Sequence, residues 1–213
     1  DDLRAFIATL DDVERSAFVY VQDLHHLAKY NDGVVRTMLD KLSTKVTATL
    51  EDPDYYIGLL DSDLKAFVSL LCGKELAGTS INALKKEGSP HYHTVAATTK
   101  YIIETLEEYT LLIHAFWRVN TCPASVAYIR NSLRRGAITS DTDSTIFTCQ
   151  AWTEWFSGQI DFSEKSGAIR DAVVYLDTQL IAHMLAMVSA GMGVRKQDLH
   201  KLSMKNEYVF PVF

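Results

Sequence analysis

The sequence predicts an α+β fold that is mainly helical, with long helices packed beside a small antiparallel sheet. Apolar residues recur at helical spacing over two long windows, residues 95–119 and 168–190. Between these windows, two short runs rich in β-branched residues flank Asp141 and Asp143, a pattern typical of a hairpin. The chain has 213 residues, 47% of them hydrophobic, which is enough apolar material to form a core.

The N-terminal region is predicted to be helical. Asp32 is suited to cap a second helix after an amphipathic segment at the N-terminus. A loop at residues 51–54 ends this pair of helices, and residues 62–72 form another amphipathic segment. We expect residues 1–94 to be one of two domains.

The second predicted domain, residues 95–213, contains the two long helices. The first carries five apolar residues on one face: Ile102, Leu106, Tyr109, Ile113 and Phe116. The second has a longer apolar stripe, and Gly191 and Gly193 provide its stop: Ile169, Val173, Leu176, Leu180, Met184 and Met187. Both are predicted to pack in the core.

The β structure is predicted from three short segments. Residues 136–140 and 144–149 are expected to be strands joined by a tight Asp-Thr-Asp turn, which places two carboxylates at the hairpin tip. A third candidate strand covers residues 204–213, where Pro211 indicates a sheet edge or a strand end. The apolar C-terminal run leads us to expect a fragment, or one chain of a divided protein.

Composition restricts the classes of partner. The formal net charge is −6, so the chain as a whole is not a basic body, and any DNA contact must be local. Three separated cysteines, Cys72, Cys122 and Cys149, indicate a reducing compartment. No leader is recognised and no window reaches the ~20 apolar residues of a membrane span. We therefore expect a cytoplasmic protein that is not secreted and has no membrane partner.

The acidic turn suggests metal chemistry. Two carboxylates at positions i and i+2 on a hairpin can approach one point, and Mg²⁺ (or Mn²⁺) prefers such oxygen ligands together with substrate phosphates. In a two-metal site, ions of this kind assist an in-line phosphoryl displacement. The alternative is structural, because Asp-Thr-Asp-Ser consists of turn-forming residues that also occur in surface loops.

The residues around this turn resemble a known family. Residues 138–146, Ile-Thr-Ser-Asp-Thr-Asp-Ser-Thr-Ile, are similar to the Y-G-D-T-D-S turn between two palm strands of family B DNA polymerases. Residues 201–211 resemble the strand that leads to the family's K-x-Y motif. The resemblance implies a palm-type sheet containing the Asp141-Asp143 hairpin, within a partial palm over residues 95–213 and a fingers-like region over residues 1–94.

The resemblance also implies a reaction and its residues. A primer 3′-hydroxyl would attack the α-phosphate of a deoxynucleoside triphosphate, and pyrophosphate would leave. This is the reaction of template-directed DNA replication. Asp143 is the first choice for the shared catalytic metal ligand and Asp141 for its partner, while Thr142 and Ser144 would shape the turn. The divergence from the family pattern suggests a phage or viral enzyme acting in a bacterial or infected host cell.

Other site residues match the family less closely. Residues 80–84 align with the family's nucleotide-binding K-x-x-x-N-S-x-Y-G helix and supply Asn82, but Gly78 stands at the lysine position. Lys85 is a candidate for the triphosphate instead, because a flexible ammonium can bind phosphate from several positions. The favoured alternative is a solvated lysine on the helix surface.

Arg134 and Arg135, next to Arg130, and Lys205 are candidates for contact with primer-template DNA. The arginines could equally belong to an exposed helix end.

The family's first motif, D-x-x-S-L-Y-P, with the other metal-binding aspartate, does not occur in the 213 residues. We therefore expect a missing polymerase segment or a partner chain, and no activity from this chain alone. The alternative is a non-enzymatic helical interaction protein. Zinc binding by His91 and His93 is disfavoured because no cysteine accompanies them. Trp152 and Trp155 are expected to pack rather than to stack on bases.

Overall fold

A computed structural model describes residues 24–117, 137–140 and 145–202, together with Thr9 and Met204. Seven helices precede a hairpin in this part of the chain: α1 (Leu24–Leu42), α2 (Pro53–Gly58), α3 (Ser62–Leu71), α4 (Gly73–Leu76), α5 (Ile81–Lys86), α6 (Pro90–Glu108) and α7 (Thr110–Trp117). The hairpin consists of β1 (Ala137–Ser140) and β2 (Thr145–Phe147). After it come α8 (Gln150–Ser157), α9 (Glu164–Gly191) and a short 3-10 helix (Lys196–Asp198).

Polar residues in the loops determine where several helices begin. The side chains of Asp52, Asp61, Ser80 and Ser89 each accept a hydrogen bond from a backbone N–H in the first turn of α2, α3, α5 and α6, respectively. Such caps satisfy backbone donors that have no partner inside the helix. The loop predicted at residues 51–54 lies earlier in the chain and is longer, because α1 ends at Leu42 and α2 begins at Pro53.

One apolar core joins the helices on both sides of position 94. Helices α1, α3, α6 and α9 contribute most of its fully buried side chains: Val35, Met38, Leu39, Leu42, Val68, Val95, Ile102, Ile169, Val173 and Leu176. Burial of each such side chain contributes roughly 1.5–3 kcal/mol. The predicted apolar faces of the two long helices are confirmed by Ile102 and Ile113 in the first and by Ile169, Val173 and Leu176 in the second.

The predicted helix beginning near Asp32 is the second part of α1, which follows a kink at Asn31, whose φ of −131° and ψ of 23° are not helical. Another predicted boundary differs from the structure. The helix predicted for residues 95–119 begins earlier, at Pro90, and is divided at Tyr109 into α6 and α7. The apolar spacing continues across Tyr109, so the pattern alone does not locate this division.

The predicted α+β fold with a palm-type sheet is wrong. The described residues are mainly helical, and their β structure is limited to one hairpin with strands of four and three residues. These strands pair with each other, while the core is built from helices. The β-branched residues around the turn favour local pairing, but a sheet with a packed face needs more strands than two. The third predicted strand lies outside the described residues, apart from Met204, which is not in a strand.

Helix α9 is long and apolar enough to cross a membrane by length and composition alone, with a mean hydropathy of 1.4 over its most apolar window. This differs from the sequence expectation that no such window exists. Its first half is part of the core through Ile169, Ala172, Val173 and Leu176, and 22% of the apolar window is buried. The first half of α9 is therefore a core helix, whereas most of its apolar window is not buried.

Candidate acidic hairpin and its support

The hairpin is the element that carries the predicted metal ligands. Its strands are antiparallel, with Ala137 opposite Phe147, Thr139 opposite Ile146 and Ser140 opposite Thr145. The predicted pairing on both sides of Asp-Thr-Asp is therefore confirmed. Asp141 and Asp143 belong to the four-residue connection between the paired strands, and this connection lies outside the described residues.

The register of the hairpin contains an irregularity between Ala137 and Thr139. Ile138 is the extra residue there, because two steps along β1 correspond to one step along β2. Such bulges bend and twist a strand, and they are frequent next to active sites. An isolated two-stranded hairpin is only marginally stable in water, so its position depends on what its flanking residues contact.

Helix α8 connects the hairpin to the core. Only Thr148 and Cys149 separate β2 from α8, and the hydroxyl of Thr148 accepts a hydrogen bond from the Gln150 backbone N–H at 3.1 Å. Trp152, Trp155 and Phe156 on α8 pack against the core, which confirms the prediction that Trp152 and Trp155 pack. The rings of Trp152 and Trp155 meet edge to face, with centroids 5.9 Å apart.

Arg36 on α1 holds the end of α8. Its Nη1 donates to the carbonyl oxygen of Phe156 at 2.8 Å and its Nη2 to that of Trp155 at 2.7 Å. Its Nε donates to the carboxylate of Asp32 at 3.0 Å, and the guanidinium lies 4.2 Å from the centroid of the Trp155 ring. We call these four residues the Arg36 clamp. A guanidinium provides this planar set of donors, whereas an ammonium does not.

Lys165 on α9 adds a second connection to α1. Its Nζ lies 2.8 Å from Asp40 Oδ1 and donates to Ser43 Oγ, also at 2.8 Å. The same ammonium lies 5.9 Å from the centroid of the Phe156 ring. Helices α1, α8 and α9 are therefore tied together on the side where α8 ends.

A buried acidic residue lies near the beginning of α8. Asp171 on α9 is 8% exposed, and Arg170 donates to its Oδ1 through Nε at 2.9 Å and Nη2 at 2.8 Å. Burial raises the pKa of the Asp171 carboxyl, and the hydrogen bond from Arg170 opposes this rise. Burial, together with the charge of Asp177, raises the pKa of the Cys149 thiol to about 12. Cys149 is therefore protonated at neutral pH, in contrast to a reactive thiolate.

Sequence reasoning did not identify Arg36 or Asp171. An acidic residue within the apolar stripe between Ile169 and Val173 was a usable signal for Asp171. No local pattern indicates Arg36, because its partners are backbone carbonyls 119 and 120 residues away in sequence.

The predicted nucleotide-binding residues are on α5. Asn82 and Lys85 are exposed and lie one turn apart. Lys85 Nζ is 2.6 Å from Asp54 Oδ2, and Tyr92 donates its hydroxyl to Asp54 Oδ1 at 2.7 Å. The hydrogen bond from Lys85, followed by that from Tyr92, lowers the pKa of the Asp54 carboxyl. A phosphate bound by Lys85 would have to compete with Asp54.

The remaining predicted residues are divided between the described and undescribed parts of the chain. Arg134, Arg135 and Lys205, the predicted DNA contacts, lie outside the described residues, as does Arg130. His93 Nδ1 accepts a hydrogen bond from the Leu50 backbone N–H at 3.3 Å, so this nitrogen is already engaged. Within the described ranges no three His, Cys, Asp or Glu side chains form a metal-binding group.

Between α6, α7 and α9 lies a cavity of about 70 Å³. Small-molecule sites typically enclose ~300–1,000 Å³, so this cavity is too small for a nucleotide. Its walls come from seven residues: Leu106, Thr110, Ile113, His114, Tyr175, Leu176 and Gln179.

The sequence is similar to a known protein family. A family model described as Divergent Family B DNA polymerase matches residues 1–213. No curated protein and no solved structure matches the chain. The match covers the helical region, the hairpin and both long helices, including the Asp-Thr-Asp-Ser segment that carries the sequence resemblance. The chain belongs to the divergent family B DNA polymerases.

Proposed function

We propose that this chain takes part in template-directed nucleotidyl transfer to a DNA primer, with the turn between β1 and β2 as its acidic centre. The observation that supports this most is the pairing of Ser140 with Thr145, which makes Asp-Thr-Asp-Ser the connection of a hairpin. Membership of the family supports the reaction class.

Asp143 and Asp141 have the chemistry to hold Mg²⁺ or Mn²⁺, because carboxylate oxygens are the ligands that these hard cations prefer. Such an ion, when bound, supplies positive charge to the phosphates of a phosphoryl displacement. Asp143 is proposed as the principal ligand and Asp141 as its partner. Thr142 and Ser144 have hydroxyls that can bond the local backbone and shape the turn.

The proposed partners are primer-template DNA and deoxynucleoside triphosphates. Arg134, Arg135 and Lys205 are proposed to contact DNA phosphates, and Asn82 with Lys85 the incoming nucleotide. For Lys85 this requires release from Asp54, an exposed pair that costs little to separate. We propose cytoplasmic action in a bacterial or infected host cell, as expected for a phage polymerase.

Two carboxylates supply only part of a two-metal centre. We therefore propose that a further segment or a partner chain brings the remaining metal-binding aspartate, and that this chain alone extends no primer. Residues that act as one catalytic unit lose most of their effect when any one of them is removed.

Primer extension by the completed protein tests the proposal. Asp143→Asn should nearly eliminate extension, because the amide keeps the shape of the side chain and removes its charge. Glu104→Gln is the matched control, since Glu104 lies on α6 in a loose exposed pair with Lys100 at 3.8 Å. Extension at the wild-type rate by Asp143→Asn would remove Asp143 from catalysis.

A helical interaction protein is the second candidate. The mainly helical fold favours it, together with the exposed apolar side chains of Val188 and Met192 at the end of α9. If the completed protein neither extends primers nor binds primer-template DNA, that result would favour the helical interaction protein.

A further inference from the structure

We propose that Arg36 is a positioning residue for the acidic hairpin, acting through α8. The proposal rests on the proposed function of the hairpin and adds a residue that lies far from it in sequence. Arg36 belongs to the helical region, whereas the hairpin lies more than 100 residues later.

Among the described residues, the hairpin is supported mainly by its own pairing. In the described part of the chain, β1 and β2 make their principal contacts with each other. A hairpin of two short strands is marginally stable, so its orientation follows that of the element to which it is joined. That element is α8, which begins at Gln150, directly after Thr148 and Cys149.

Helix α8 is held by two kinds of interaction. Cys149, Trp152, Trp155 and Phe156 pack against the core through apolar contacts, which are not directional. At its end, the Arg36 clamp makes two directional hydrogen bonds to the carbonyls of Trp155 and Phe156. The clamp therefore fixes the rotation of α8 about its axis in a way that apolar packing does not.

The Arg36 guanidinium is suited to the end of a helix. A guanidinium at the C-terminal end of a helix both bonds the last carbonyls and complements the helix dipole. Asp32 orients the guanidinium from one turn earlier on α1, at 3.0 Å from Nε. The Trp155 ring contacts the guanidinium, with its centroid 4.2 Å from Arg36 Cζ. Both terminal nitrogens of Arg36 thus bond α8, while Asp32 orients the guanidinium through Nε.

The consequence for function is geometric. Rotation of α8 would move β2, and with it the connection that bears Asp141 and Asp143. A displacement of ~1 Å at reacting groups can cost about a hundredfold in rate, so a distant clamp can control a metal site that it does not touch.

Hydrogen–deuterium exchange of the 213-residue chain tests the coupling. In Arg36→Ala, amides of residues 137–147 should exchange at least about tenfold faster, the factor expected when one charge-assisted hydrogen bond is lost. Lys41→Ala is the matched control. Lys41 lies on the same helix, pairs with Glu108 at 2.6 Å and lies 5.4 Å from the Tyr109 ring, but it holds α6 rather than α8.

Arg36→Lys is a second variant that keeps the test valid if Arg36→Ala does not fold. It keeps the charge, but one ammonium cannot reproduce the planar set of bonds, so exchange of residues 137–147 should be intermediate. Mn²⁺ binding, measured where all variants are fully folded, should weaken in Arg36→Lys and remain unchanged in Lys41→Ala.

Equal exchange of residues 137–147 in the Arg36 and Lys41 variants would overturn the positioning role. A wild-type chain that binds no Mn²⁺ would instead overturn the proposed metal site, while the exchange comparison would still decide on the clamp.

Discussion

Replacing Leu176 by alanine tests the packing of α9, the helix whose composition alone would also suit a membrane. Leu176 is 1% exposed in the cluster formed by α1, α3, α6 and α9. Truncation of a fully buried leucine costs ~2–5 kcal/mol through lost apolar transfer and the cavity that remains. Leu111→Ala is the matched control, because Leu111 on α7 is 56% exposed. Its truncation should cost less than ~0.5 kcal/mol.

Urea denaturation of both variants, monitored by tryptophan fluorescence, measures these free energies of unfolding. In a chain of this size, each kcal/mol corresponds to ~2–4 °C in Tm, so Leu176→Ala should melt on the order of 10 °C below wild type. Equal stability of the two variants in aqueous buffer would refute the assignment of α9 to a water-soluble core. It would also contradict the positions given for Lys165 and the buried Asp171, which lie on the same helix.

Two further predictions follow from shifted pKa values. Cys149 and Cys72, with pKa values raised by burial to about 12 and about 11, should alkylate slowly at pH 8 in a Cys122→Ser background; rapid modification of the folded chain would contradict their burial. For Asp171, burial raises the folded pKa above the unfolded value, so the wild-type group favours the fold when protonated and opposes it once ionised. Asp171→Asn should therefore gain stability relative to wild type as the pH rises from below the ordinary Asp pKa to neutrality, as measured by urea midpoints; a loss over that range would show that the bond to Arg170 dominates.

Local patterns predicted the long helices and the hairpin because each depends on residues close in sequence. The apolar faces through Ile102 and Ile113, and through Ile169 and Leu176, are buried as expected. The β-branched residues around Asp-Thr-Asp do pair across the turn. For the helices, the spacing of apolar residues determines which face meets the core.

The palm-type sheet was predicted incorrectly because strand propensity describes a segment and not its partners. Ala137–Ser140 and Thr145–Phe147 satisfy each other, and the described core consists of helices that pack on helices. The Arg36 clamp was missed for a related reason. Its acceptors are main-chain carbonyls of Trp155 and Phe156, and a carbonyl oxygen has no residue identity that a sequence can reveal.

The central claim is that the turn between β1 and β2 binds a divalent cation through Asp143. Titration of the isolated chain with Mn²⁺, followed by paramagnetic broadening of amide resonances in residues 137–140 and 145–147, tests this most directly. Wild type and the Glu104→Gln control should show local broadening that is weak, because the two carboxylates of this turn supply only part of a site. In Asp143→Ala the broadening should disappear. Equal broadening in wild type and Asp143→Ala would show that the turn is not the metal site and would contradict the proposed function.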